Sequence, residues 1–268
     1  MKSNHLLPLA VSLALFSAVV ASADVMTLQP MDDSAITSIS PGTNTPAGNA
    51  TEFSLIGWLD LGAARPLLKF DLSAIPDGWA VLSAVLTLEK LDFLPGAWGS
   101  FNAELWRMTN DNWTEATVTW VSYDQAGAVP VASLPPPHTN GPSVWNISVA
   151  DWAYAEDLLD DAVTFALRWN AELSQHYKGV RYSSKEGTVA PTLRIEYVPR
   201  LTVTRSNGAV IVSWPLPADD WVLEATNALP QVSAVWPQIA PPYQTNGANL
   251  QFTEPLPTGK KFYRLHKP

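Results

Sequence analysis

The sequence contains no cysteine. That absence excludes disulfides, thiolate metal sites and cysteine nucleophiles, so the fold must rest on its packed core. Charge is also scarce: Asp, Glu, Lys and Arg make up 15% of the chain, with a net charge of -9. An acidic balance leaves no electrostatic footprint for nucleic acid. Only four histidines occur, His5, His138, His176 and His266. They are too dispersed for a zinc site, and neither a GxSxG elbow nor an HExxH pair is present. No DxDxDG calcium loop occurs either.

Long apolar runs are missing except near the N-terminus. There Lys2 precedes the run "LLPLAVSLALFSAVV", and "ASA" at 21–23 supplies small residues for a signal peptidase. The run from Leu6 to Val20 is shorter than the ~20 residues a bilayer span requires. Residues 1–23 therefore read as a cleaved export signal, the mature protein starts near Asp24, and no transmembrane segment is expected afterwards. Cleavage removes Lys2 and takes the formal charge from -9 to -10.

What the chain does have is 12 tryptophans, 23 prolines and many short alternating runs. "SAITSIS" (34–40), "RPLLKFDLS" (65–73), "AVLSAVLTLEKL" (80–91), "FNAELWRM" (101–108), "VTFALRWN" (163–170), "GVRYSS" (179–184) and "PTLRIEYV" (191–198) alternate with period 2 between turn formers. The expected fold is all-β, a jelly-roll β-sandwich with one short helix. The helix is expected within "SVADWAYAEDLLDD" (148–161), with Val149, Trp152, Ala153 and Leu159 as its stripe and Ser148 as its cap. The proline-rich stretch 127–143 is expected to be a long surface loop. "WTEATVTW" (113–120) reads as a strand whose tryptophans, seven residues apart, leave opposite faces and serve the framework. Past "VPRL" the pattern restarts, with "SNG" as a hairpin turn, and 199–268 is expected to be a small second β-sandwich.

Several segments, in order, resemble the DNRLRE (disaggregatase-related) domain, carbohydrate-binding module family 96. They are "RPLLKFDLSAIPDGWAVLSAVLTLEK", "WTEATVTW", "ISVADWAYAEDLLDDAVTFALRW" and "YSSKEGTVAPTLRIEY". The resemblance spans roughly residues 24–198. It implies a jelly roll, export, and binding of polysaccharide without catalysis, acidic glycans such as alginate being the best-known class. The stretch 199–268 is similar to a fibronectin-type-III-like tail of exported bacterial proteins, an accessory or surface-retention module.

Sugars stack their apolar faces on aromatic rings, and acidic glycans add a need for Arg or Lys. The basic residues in the matching segments are Arg65, Lys69, Arg168, Arg181 and Lys185, and these are the expected ligand contacts. Each of them also reads as a solvated strand residue. Among the tryptophans, Trp58 after a glycine, Trp98 in "PGAWGSF" and Trp169 at a strand end are the candidates for exposure. No cofactor is expected; calcium is the one candidate, through Asp32 and Asp33. Asp157, Asp160 and Asp161 read as the solvated end of the helix.

Two rival readings remain open. One is a structural or adhesive protein associated with the cell surface or matrix. The other is a polysaccharide lyase, because "QHYKGVRY" (175–182) gathers His176, Tyr177, Lys178 and Arg181, the residue types for a base and a carboxylate neutraliser.

Overall fold

A computed structural model describes residues 23–97, 101–135, 139–228, 236–255 and 259–268. By its internal contacts the described chain divides into two compact units, Asp24–Arg200 and Leu201–Pro268. The first contains β1 (Asp24–Leu28), β2 (Asp32–Thr37), β3 (Glu52–Trp58), β4 (Gly62–Asp71), β5 (Trp79–Phe93) and β6 (Ala103–Met108). It continues with β7 (Val129–Leu134), β8 (Gly141–Ile147), α1 (Tyr154–Asp157), β9 (Ala162–Trp169), β10 (Lys178–Ser183) and β11 (Thr192–Pro199). These strands form one curled antiparallel sheet in the order β1-β11-β5-β10-β3-β4-β9-β6-β7, with β2 added to β4 and β8 to β5. The architecture is the all-β sandwich that the alternation predicts.

Alternation builds the core. Phe53 and Leu55 of β3, Leu68 and Phe70 of β4, and Phe165 and Leu167 of β9 are all buried. Each such side chain contributes about 2 kcal/mol of transfer free energy. On β5 the parity changes along the strand. Val81 is buried and Leu82 is 54% exposed, whereas Ala84, Leu86 and Leu88 are buried. The register against β11 slips there, Glu196 facing Ser83 and Tyr197 facing Val81, so Leu82 is the extra residue of a bulge. A strict period-2 reading assigns Leu82 to the wrong face for that reason.

Three local expectations need correction. The stretch 127–143 is mostly strand, not loop: Pro130 lies in β7, the last strand of the order, and Pro142 in β8, which pairs with β5 alone. Edge positions tolerate a residue without an N–H. The helix is a single turn, Tyr154–Asp157, and Leu159 is 86% exposed. "WTEATVTW" is a chain of turns, not a strand. Val118 N donates to Thr114 O, Tyr123 N donates to Thr119 O, and Thr119 and Ser122 bond each other's hydroxyls and amides. Hydroxyls that satisfy nearby backbone groups favour turns over a ladder.

The second unit contains β12 (Thr202–Ser206), β13 (Ala209–Pro215), β14 (Val222–Thr226), β15 (Gln244–Asn246), β16 (Asn249–Glu254) and β17 (Phe262–His266). They form two sheets, β12-β13-β16-β15 and β14-β17. The hairpin turn holds Asn207 and Gly208 at φ 48° and 79°, the left-handed conformation these residues adopt most readily. Val212, Trp214, Trp221, Leu223 and Leu265 form its core. The Tyr243 hydroxyl ties it together, accepting from Leu223 N and donating to Ile239 O.

Candidate functional site

On β4 and β9, Leu67 faces Ala166, and on β9 and β6, Ala166 faces Trp106 and Arg168 faces Glu104. This face is roofed by the turns of 109–128, where Trp113, Val118 and Tyr123 pack on Leu67, Met108 and Ala166, with Trp106 and Trp120 partly buried against them. The Trp113 indole N–H donates to Thr164 Oγ1 at 2.9 Å, and its ring meets Tyr123 edge-on. Trp113 is thus framework, as expected; Trp120 stands at the rim.

Two arginines meet at that rim. Arg65 lies over the Trp120 ring at 4.6 Å, and Arg168 over the Trp106 ring at 4.6 Å. The Arg65 guanidinium is held by Glu172, with Nε 2.9 Å from Oε1, and by the Gln125 side chain. Arg168 has no carboxylate within ion-pair distance among the described residues, and its Nε is buried without an acceptor. Its nearest polar contact is Met108 Sδ at 3.7 Å. Burial first, and then the charge of Arg65, push the Arg168 pKa down to about 10. Glu104, opposite it across the strands, accepts the Trp106 indole N–H at 3.0 Å and acts on Arg168 only through its charge, which with that of Glu172 opposes the fall. The rim therefore holds a guanidinium without a carboxylate partner among the described residues, an aromatic support beneath it and a second arginine alongside.

The remaining predicted contacts lie elsewhere. Lys69 is buried: its ammonium pairs with Asp32 at 2.7 Å, donates to Trp113 O and lies over the Trp113 ring, so it anchors the roof from below. Trp169, expected at the surface, is 2% exposed, because its indole N–H donates inward to Leu55 O at 3.1 Å. Arg181 is partly exposed and bound to Asp92 and Glu52, which raise its pKa further. Trp58 is half-exposed beside Tyr177, centroids 5.5 Å apart. Trp98 lies outside the described residues. Sequence reasoning brought Arg65 and Arg168 forward but missed Trp106, Trp120, Glu104, Gln125 and Glu172. The spacing Glu104-x-Trp106 on a strand was the available signal, since it puts both on one face.

Lys185 belongs to a second cluster. Its ammonium lies 2.5 Å from Glu115 and 3.4 Å from Glu186, and it donates to Met31 O. Carboxylate oxygens of Asp33, Glu115 and Glu186 lie within 4.8 Å of one another. Burial raises the Asp33 pKa to about 7, against the pull of the Lys185 N–H that it accepts. Asp32 is committed to Lys69 and to Glu115 N. A cation at the trio would displace the Lys185 ammonium, which already answers part of the charge.

In "QHYKGVRY", His176 and Lys178 both lie against the Phe101 ring, while Tyr177 packs beside Trp58. Lys178 is fully buried, Arg181 is paired, and His176 is exposed. Asp157, expected in solvent, is 1% exposed, gripped by Arg107 and the Trp152 indole. That grip outweighs burial and raises the Arg107 pKa.

The model of carbohydrate-binding module family 96 matches residues 24–197, and the chain belongs to that family. Its function is carbohydrate binding. No curated protein matches the chain. Among solved structures, dimeric latent PorU from Porphyromonas gingivalis aligns over 93% of this chain at 12% identity, with a TM-score of 0.24. The chain spans 21% of that structure's length, and a likeness at that level carries no argument.

Proposed function

We propose that the protein is exported, non-catalytic, and binds acidic polysaccharide such as alginate through Arg65 and Arg168 over Trp120 and Trp106. The observation that carries this reading is Arg168. Its half-buried guanidinium has no carboxylate partner among the described residues, and its nearest hydrogen-bond contact is only the Met108 thioether. A uronate carboxylate can pair with the terminal nitrogens of such a guanidinium through charge-assisted hydrogen bonds. The partly buried edges of Trp106 and Trp120, whose faces carry the two guanidiniums, suit sugar C–H groups. The burial of Lys178 and the pairing of Arg181 support the non-catalytic reading, and the N-terminal run supports export. Affinity electrophoresis tests the reading. Mobility should fall in gels containing alginate or pectate and not in neutral β-glucan gels, and the effect should shrink as salt screens the arginines. Equal retardation in neutral gels, unchanged by salt, would overturn it.

A further inference from the structure

The loop between β9 and β10, residues 170–177, is locked in a strained shape. Ala171 has a φ of 46°, in the left-handed region where a Cβ is disfavoured. The Lys178 ammonium, lying over the Phe101 ring at 4.4 Å, donates to the carbonyls of both Asn170 and Ala171. The Leu59 N–H reaches across to Ser174 O at 2.8 Å. The loop also packs so closely on Gly57 that a Cβ there would lie 2.4 Å from Glu172 O.

What this clamp presents is an aromatic wedge. Trp58 and Tyr177 meet at 52°, both half-exposed, and Leu59, next to Trp58 in the chain, and Leu173, in the same loop as Tyr177, are each 56% exposed. Glu172, in the same loop, is the carboxylate that holds Arg65. One loop therefore carries both a ring of the wedge, Tyr177, and the carboxylate that anchors Arg65. Rings fixed beforehand lose little entropy when a ligand stacks on them.

We infer that Trp58 and Tyr177 form a second subsite, which takes the apolar face of a pyranose ring in the same chain whose carboxylate Arg168 binds. This rests on the proposed acidic-glycan site. It makes the ligand an oligosaccharide of several residues rather than a single sugar.

Calorimetric titration with an alginate hexasaccharide and disaccharide tests it on the full protein, comparing wild type, Tyr177→Ala, Trp58→Ala and Arg168→Ala. The aromatic variants should bind the hexasaccharide about tenfold more weakly, the upper range for one aromatic contact, and leave the disaccharide within about twofold. Arg168→Ala should weaken both. Wild-type hexasaccharide affinity in the aromatic variants, with binding lost in Arg168→Ala, would overturn the subsite and leave the arginine site standing. Loss in the aromatic variants with none in Arg168→Ala would overturn the arginine site and keep the wedge. Should Trp58→Ala fail to fold, Tyr177→Ala decides alone, because its ring is not part of the core.

Discussion

Arg65 and Arg168 differ in what surrounds them, and that difference assigns their roles. Arg65 is pinned by Glu172 and Gln125, so it is a fixed wall. Arg168, pressed by Arg65 and supported by Trp106, has no carboxylate partner among the described residues. Their charge was legible in the sequence, but their partners were not, because Trp106, Trp120 and Glu172 come from three separate segments that only the fold brings together. Burial works the opposite way at Asp33. Its pKa of about 7 in the fold stands above the ordinary 3.8, so the folded protein holds a proton that the unfolded chain releases. Its contribution is therefore complete at low pH and is lost as pH rises through about 7. Asp33→Asn keeps an acceptor for Lys185 N–H and removes that loss. Thermal melts in a chelator should show a higher Tm for the variant at pH ~8 and a flatter profile from pH ~5 to ~8. A lower Tm at pH ~8 would contradict the account.

At the scale of elements, strands with an uninterrupted period of 2 were readable from sequence: β4, β9, β10 and β11 fall where their alternation puts them. The failures have distinct physical causes. Prolines masked β7 and β8, because the ends of the sheet excuse a missing N–H. Threonines imitated a strand in 113–120, because T-x-T spacing serves a ladder and a series of hydroxyl-bonded turns equally well. The helix shrank because Trp152 and Asp157 are drawn into the core by each other and by Arg107. The β9–β10 loop depends on a close backbone approach at Gly57. Gly57→Ala should cost about 1–3 kcal/mol in denaturant unfolding and weaken glycan binding, because the new Cβ pushes Glu172 off Arg65. Stability and affinity equal to wild type would show that the loop is not clamped there.

At the scale of the molecule, a net charge of -9 and a site for anions are compatible. Screening confines the general field to about 8–10 Å at physiological salt, so the nearest groups decide what an approaching carboxylate meets. Most cations of the first unit are spent on internal partners: Lys69 on Asp32, Arg107 on Asp157, Arg181 on Asp92 and Glu52, and Lys185 on Glu115. Those pairs help to hold together a cysteine-free sandwich. Among the described residues Arg168, like the exposed Arg200, has no ion pair, and Arg168 is the one that lies over a ring at the rim. The most direct test is the dissociation constant for an alginate hexasaccharide, measured for wild type and Arg168→Ala at about 50 mM and about 500 mM salt. The account predicts at least a tenfold loss in the variant at low salt and a wild-type affinity that falls toward the variant's as salt rises. An Arg168→Ala protein that binds as tightly as wild type at both salt concentrations would contradict it.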